Sequence, residues 1–214
     1  MNKAQEFWDK QAKSFDDFER QTESATREII AVTKKYLAAH DNVLDFGCAT
    51  GNKTLKFAAG VKHIHGLDFS PEMISEAVKK KQESGAENVS FSQGTIFSNE
   101  LEKLSFDKII ALSIIHLLKD SGKVIQRINE LLKPGGLLIS ETACFKEKMD
   151  PKTRSELELF PLHLNMFTTS DVERLIKSRN FNIIESGNIL YNGIPISFIV
   201  AQKSGLRIQG KICI

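Results

Sequence analysis

The chain has 214 residues, of which 41% are hydrophobic and 26% are charged, a composition ordinary for a soluble globular domain that buries one large core. Its 29 basic and 27 acidic residues leave a net charge of +2, which gives no extended field for nucleic acid or an anionic membrane. The chain starts without an apolar signal-peptide core, and no apolar run is long enough to span a bilayer, so we expect one cytoplasmic domain over residues 1–214.

The first predicted element is a helical region with an apolar stripe. The stripe lies within residues 4–20 and consists of Phe7, Trp8, Ala12, Phe15 and Phe18. Because these side chains have no place in a sheet, we expect residues 1–38 to form a helical cover over the ligand-binding end of the domain.

The first predicted strand covers residues 42–46, contains Asp45, and leads into a turn bounded by Gly47 and Gly51. Glycines at both ends of a strand-to-helix turn permit positive φ and a close approach of the backbone to a ligand. A dinucleotide fingerprint needs glycines at positions 47, 49 and 52, and this chain has only the first of them. Since Asp45 would also repel a pyrophosphate, a cationic cofactor fits the turn better.

The second predicted strand ends in another acid, Asp68, and is followed by a helix with Ser70 as its N-cap and Pro71 at its first position. Asp68 follows Gly51 at roughly the offset where an acid meets ribose hydroxyls in nucleotide-binding βαβ units. The pattern therefore predicts a ribose without a pyrophosphate.

Apolar segments alternate with amphipathic ones through the middle of the chain, which is typical of a parallel sheet covered by helices on both faces. We predict the first five strands near 42–46, 63–67, 89–93, 108–112 and 136–141.

Three local patterns predict the remaining elements. A helix from Asp120 to Lys133 should end at Pro134-Gly135-Gly136, and Ser170-Asp171-Val172-Glu173 is interpreted as a capping box that opens another helix. Two last strands, near 182–190 and 196–202, flank Asn192-Gly193, a dipeptide typical of an antiparallel hairpin.

Three segments in order resemble motifs of the class I S-adenosylmethionine-dependent methyltransferases, most closely the small stand-alone members that modify small molecules. They are Leu44 to Gly51, Gly66 to Met73, and the turn Leu132 to Gly136. The resemblance covers nearly the whole chain. It implies an α/β fold with a seven-stranded Rossmann-like sheet of order 3-2-1-4-5-7-6, whose strand 7 is antiparallel.

The same resemblance implies S-adenosylmethionine as cofactor and a set of residues that bind it. Asp45 and the glycine turn would hold the methionine portion, Asp68 the ribose hydroxyls, and Phe69 and Met73 would flank adenine. Where many members have an acid for the adenine amine, this chain has Thr95, which offers only a hydroxyl or its backbone. The predicted cofactor-binding residues are Asp45, Gly47, Cys48, Ala49, Gly51, Asp68, Phe69, Met73, Thr95, Ile96 and Ser113.

The candidate catalytic residue is His116, just beyond strand four, where family members commonly place substrate-facing residues. Methyl transfer from a sulfonium releases a neutral leaving group, so a base is optional, but histidine can take a proton near neutral pH. The alternative is that His116 caps the following turn or satisfies a buried carbonyl.

Residues 144–168 follow strand five at its carboxyl end, and we expect them to form a lid or substrate insertion. Their apolar side chains are Met149, Phe160, Leu162, Leu164, Met166 and Phe167. The alternative is a short helix that only packs on the sheet. Together with the N-terminal stripe, this segment predicts a small, partly apolar acceptor.

Two further interpretations compete with this one. His63 and His65 share a strand face, but no carboxylate or cysteine cluster accompanies them, and Cys48, Cys144 and Cys213 lack paired spacing, so we predict no metal site. A noncatalytic module that binds S-adenosylmethionine or a partner with the same fold stays open beside the enzyme.

Overall fold

A computed structural model describes residues 3–21, 23–146, 155, 159–191 and 194–205. Met149, the turn residues Asn192 and Gly193, and Cys213 lie outside the described residues. The strands are β1 (Asn42–Phe46), β2 (His63–Asp68), β3 (Val89–Gln93), β4 (Phe106–Leu112), β5 (Leu132–Ala143), β6 (Phe181–Tyr191) and β7 (Ile194–Lys203). The helices are α1 (Lys3–Gln11), α2 (Phe15–Gln21), α3 (Glu23–Lys34), α4 (Asn52–Ala58), α5 (Pro71–Ser84), α6 (Ser121–Leu131) and α7 (Thr169–Lys177). In this part of the chain, no helix is long and apolar enough to cross a membrane.

The strands form one sheet in the order β3-β2-β1-β4-β5-β7-β6. Strands β1 to β5 are parallel, and β7 runs antiparallel to both β5 and β6. This confirms the predicted Rossmann-like sheet. The order changes direction between β1 and β4, and in open α/β sheets ligands bind at such a switch point, beyond the carboxyl ends of the strands.

Both faces of the sheet are covered, and β4 shows why its sequence is a continuous apolar run. Ile109 and Ala111 pack into the core under α6 and α7, while Ile110 and Leu112 pack into the core under α3 and α4. Successive side chains of a strand point to opposite faces, so a strand buried on both sides must be apolar at every position.

Helix ends follow local hydrogen bonding, and two predicted ends are wrong. Helix α7 begins after Thr168, whose hydroxyl accepts from the Asp171 amide while the Asp171 carboxylate accepts from the Thr168 amide. The capping box thus starts at Thr168 and not at Ser170. Helix α6 ends at Leu131, before Lys133, because Leu132 is already extended and pairs with Phe106 at the start of β5.

The predicted cap of α5 is confirmed. Ser70 has an extended backbone, its hydroxyl accepts from the Met73 amide at 3.1 Å, and Pro71 occupies the first helical position. A proline there loses no helical hydrogen bond, so the chain turns from β2 into α5 directly after Asp68.

The N-terminal segment, residues 3–21, consists of α1, a 3₁₀ turn and α2 rather than one continuous helix. Its aromatic side chains pack in series: Phe7 meets Trp8 and Trp8 meets Phe15 edge to face, and Phe15 packs on Phe18 at a tilt. Phe7 also packs against Phe160, with ring centroids 5.6 Å apart. The N-terminal segment and the segment after β5 therefore touch each other.

Candidate functional site

The turn after β1 is held against the end of β2 by its own backbone. The amides of Gly47 and Cys48 both donate to the Leu67 carbonyl, at 2.8 and 3.2 Å. Gly47 has φ of +77°, and a Cβ there would lie 2.4 Å from the Ile114 side chain. A glycine is therefore required by conformation and by space, and it brings the turn close to the first residues after β4.

Asp68 is fixed by backbone donors from both sides. Its two carboxylate oxygens accept from the Ser70 amide at 2.9 Å and from the Ala49 amide at 3.1 Å. Burial raises the pKa of Asp68, while these amide hydrogen bonds oppose the rise. The carboxylate is thus oriented at the carboxyl edge, and its remaining lone pairs can accept from hydroxyls.

Asp45 has far fewer partners. Among the described residues, the hydrogen bond to its carboxylate comes from the Thr54 hydroxyl, at 2.6 Å. Burial raises the pKa of Asp45 to about 6, although the Thr54 hydrogen bond and the Lys53 charge lower it. A bound cation at this position would supply a positive countercharge and so stabilise the ionised form of the Asp45 carboxylate.

The four predicted adenine-side residues divide into two pairs. Met73 and Ile96 are each only 1% exposed and pack in the core, so they offer little surface to a ligand. Phe69 is partly exposed and Thr95 is exposed, with the Thr95 hydroxyl accepting from the Phe97 amide. The adenine contacts stay predictions, and they rest mainly on Phe69 and Thr95.

Cys48 lies in the glycine turn but is buried, and burial raises the pKa of its thiol well above the usual value. This is a packing position, not a reactive one. His63 and His65 are joined by Ser90, whose hydroxyl lies 2.9 and 2.8 Å from their rings, and His65 also meets Ser92. Within the described ranges, no three His, Cys, Asp or Glu residues could hold a metal ion together.

His116 is buried, and its ring bonds to a backbone amide and not to the buried carbonyl of the structural alternative. Its ring packs edge-on against Phe145 and its Nδ1 accepts from the Ala143 amide at 3.4 Å. Its carbonyl accepts from the Asn165 amide at 2.7 Å. Burial lowers the pKa of His116 to about 4, so the ring is neutral and a weak base near neutral pH.

Sequence reasoning missed the acids of the N-terminal segment. Asp9 accepts from the Ser70 hydroxyl at 2.5 Å, and Asp16 accepts from Thr50 at 2.6 Å and pairs with Lys80 at 2.5 Å. Burial opposes ionisation of Asp16, but its hydrogen bonds outweigh that and lower its pKa.

A third acid of this segment, Glu19, accepts from Asn52 and pairs with Lys53 at the start of α4. The sequence spacing of Asp9, Asp16 and Glu19, seven and then three residues apart, is a helical repeat and could have signalled one shared face.

The second missed residue is Glu141, which pairs with the predicted residue Ser113 at the ends of β4 and β5. The Ser113 hydroxyl donates to the Glu141 carboxylate at 2.5 Å, and the Ser113 amide donates to the Glu141 carbonyl at 3.0 Å. Glu141 is 6% exposed, and burial raises its pKa. The signal in the sequence was a charged residue inside an apolar strand.

A sheet of this order, with a glycine turn between two strand-end acids, defines a class of α/β domains that bind a nucleotide-type cofactor at the switch point. A family model described as "Methyltransferase domain" matches residues 37–192. The chain belongs to this family, the class I S-adenosylmethionine-dependent methyltransferases, which confirms the predicted family and cofactor.

The individual relatives share limited sequence identity with this chain. Over 98 residues the chain is 36% identical to "Uncharacterized methyltransferase YcgJ" of Bacillus subtilis, covering 46% of this chain and 39% of YcgJ. Over 184 residues it is 26% identical to "Ubiquinone biosynthesis O-methyltransferase" of Actinobacillus pleuropneumoniae, covering 75% and 78%. A solved structure of Haemonchus contortus phosphoethanolamine N-methyltransferase 2 with S-adenosylhomocysteine superposes with a TM-score of 0.73 at 18% identity, covering 83% and 53%. The chain spans about two fifths of the length of the first curated relatives that it matches.

Proposed function

We propose that this protein transfers a methyl group from S-adenosylmethionine to a small, partly apolar molecule. The observation that carries the proposal is the pair of strand-end acids, Asp45 and Asp68, on either side of a turn held by its own backbone. The sparsely partnered Asp45 suits a cationic cofactor, and the oriented Asp68 suits ribose hydroxyls.

When bound, the cofactor supplies an electrophilic methyl group on a sulfonium. The protein's part is then to hold the cofactor, orient the acceptor atom in line with the methyl group, and exclude water. In this scheme the turn from Gly47 to Gly51 and Asp45 hold the methionine portion, Asp68 holds the ribose, and Phe69 and Thr95 border adenine. Ser113 lies where the cofactor and the acceptor meet.

The acceptor side of the proposal rests on the aromatic contact between the two segments outside the sheet. Phe7 of the N-terminal segment packs both on Trp8 and on Phe160 of the segment after β5, which supports an apolar wall beside the site. The relatives' names point to acceptors as different as a ubiquinone precursor and phosphoethanolamine. Small size is what these acceptors share.

Binding measurements test the cofactor half of the proposal. Asp68→Ala should weaken S-adenosylmethionine binding by about 1–3 kcal/mol in titration calorimetry, because charge-assisted hydrogen bonds to ribose are lost. The matched control is Asp107→Asn, which removes a carboxylate at the amino edge of the sheet, where it accepts from the Asn42 amide. Equal cofactor affinity in Asp68→Ala and wild type would reject the assignment.

Turnover separates the enzyme from a noncatalytic module of the same fold. Wild-type protein incubated with methyl-labelled cofactor and a pool of small metabolites should label at least one of them. Cofactor binding without label in any metabolite would favour the binding module instead.

A further inference from the structure

Glu141 and Asp45 face the same side of the sheet. Asp45 pairs with Ile110, and Leu112, two residues further along β4, pairs with Glu141. Strand spacing and rise then place the two Cα atoms about 12 Å apart, with Glu141 nearer the carboxyl edge. Glu141 therefore lies on the same face as Asp45, two strands away and closer to the edge where ligands bind.

Ser113 is held in an unusual conformation that aims it at Glu141. Its φ is +56°, in the left-handed region that costs a residue with a Cβ about 1–2 kcal/mol. Two hydrogen bonds to Glu141, one from the amide and one from the hydroxyl, hold it there. Backbone strain held in place by its surroundings concentrates at functional sites.

The Glu141 carboxylate lacks a full countercharge among the described residues. The groups that face it are the Ser113 hydroxyl from the end of β4 and the Lys53 charge from α4, while its β7 neighbour, Phe198, is apolar. Lys53 is itself bonded to Glu19 of the N-terminal segment. A buried carboxylate with one hydroxyl partner keeps accepting capacity for another donor.

We propose that Glu141, oriented by Ser113, binds the O–H or N–H group of the acceptor and takes its proton during methyl transfer. This rests on the proposed function. The proton goes to a Glu141 carboxylate oxygen, and the acceptor's oxygen or nitrogen lone pair forms the new bond to the methyl carbon. The carbon–sulfur bond breaks, and its electron pair stays on the sulfur of S-adenosylhomocysteine.

The chemistry of the site restricts the class of acceptor. An anionic nucleophile, such as a thiolate, would be repelled by an ionised Glu141 beside Asp45. A neutral hydroxyl or amine with a proton to lose would gain a charge-assisted hydrogen bond. Burial raises the pKa of Glu141 despite the Ser113 hydrogen bond and the Lys53 charge, which makes it a stronger proton acceptor than an exposed glutamate.

The test compares Glu141→Gln, Ser113→Ala and the control Glu173→Gln, which removes a carboxylate that pairs with Lys177 on α7. The probe is methyl-labelled S-adenosylmethionine with a low-molecular-weight metabolite extract, from which the labelled product and its methylated atom are identified. We expect an O- or N-methyl product, a loss of about 100-fold or more in kcat/KM for Glu141→Gln, and about 10-fold for Ser113→Ala. Glu173→Gln should match wild type.

Two readouts do not depend on turnover. S-adenosylhomocysteine affinity by calorimetry should stay within about two-fold in Glu141→Gln and Glu173→Gln, because neither residue is among the predicted cofactor-binding residues. Infrared difference spectra over a pH series should show that Glu141→Gln lacks one buried carboxyl signal that titrates above the usual range in wild type, while the signals of Asp45 and Asp68 remain.

The outcomes distinguish this inference from the proposed function. Transfer by wild type with less than a ten-fold loss in Glu141→Gln, or an S-methyl product, overturns the role of Glu141 and leaves the proposed function standing. Cofactor binding without transfer to any metabolite overturns both.

Discussion

The carboxyl edge of the sheet has two halves that are built differently. In the half that we propose for the cofactor, at the ends of β1 and β2, backbone amides of the Gly47–Gly51 turn and of Ser70 fix the polar groups. In the half that we propose for the acceptor, at the ends of β4 and β5, the Ser113 side chain holds the Glu141 carboxylate. The first half depends on the conformation of the backbone, because its donors are amides. The second half depends on which two side chains the β4–β5 register brings together.

The difference teaches which parts of such a site can vary. A cofactor site made by backbone tolerates changes in many side chains provided the turn keeps its shape. An acceptor site made by two side chains changes its chemistry with a single substitution.

The largest expected effect on stability comes from a substitution in the turn after β1. Gly47→Ala should cost about 4 kcal/mol in the free energy of unfolding, because the left-handed backbone and the clash with Ile114 both oppose a Cβ. Gly85→Ala is the matched control, since Gly85 has φ of +67° with nothing within 4 Å of its Cβ position, and it should cost about 1–2 kcal/mol. Equal losses in urea unfolding would show that the clash contributes nothing.

The next effect concerns the charge of Asp45. Its pKa is raised to about 6 in the folded state from 3.8, so the folded protein binds more protons than the unfolded chain between these values. The contribution of Asp45 to the free energy of unfolding should therefore fall by about 3 kcal/mol as the pH rises from about 4 to about 6, while acids with lowered pKa values, such as Asp16, contribute in the opposite direction. Urea unfolding across this range should show this fall as the difference between wild type and Asp45→Asn. The same slope in both proteins would contradict the raised pKa.

The smallest expected effect on turnover concerns His116, the catalytic residue predicted from the sequence. His116→Gln should change kcat/KM by less than about two-fold, or 0.4 kcal/mol, because the ring is buried, neutral and occupied by the Ala143 amide. Stability should fall by about 1–2 kcal/mol in the same variant. The opposite outcome is a large loss of turnover in His116→Gln, together with a limb of the wild-type pH–rate profile that is missing in the variant. That outcome would show that His116 is catalytic.

The two halves also differ in how far the sequence predicted them. The Ser70 cap and the strand-end positions of Asp45 and Asp68 follow from local patterns, because the residues involved are close in the chain. The strand order follows from the family resemblance and from no local pattern. Glu141 lies 28 residues after Ser113, and their meeting depends on the β4–β5 register, which no local pattern encodes.

His116 is a catalytic candidate in the sequence because it interrupts an apolar run. Its chemistry depends on burial, and that burial arises only when β5 and Phe145 pack on the ring. The N-terminal acids were overlooked for a related reason. The apolar stripe predicted that this segment would pack somewhere, but not which turns its polar face would meet.

Those contacts make the N-terminal segment a thermodynamic partner of whatever occupies the turns. Asp9, Asp16 and Glu19 bind residues at the beginnings of α4 and α5, so a ligand that binds more tightly when these contacts are formed must also stabilise the segment. Linkage makes this relation reciprocal: the free energy by which the segment tightens ligand binding equals the free energy by which the ligand tightens the segment. A substitution at one of these acids can thus change ligand affinity while Asp45 and Asp68 stay unchanged.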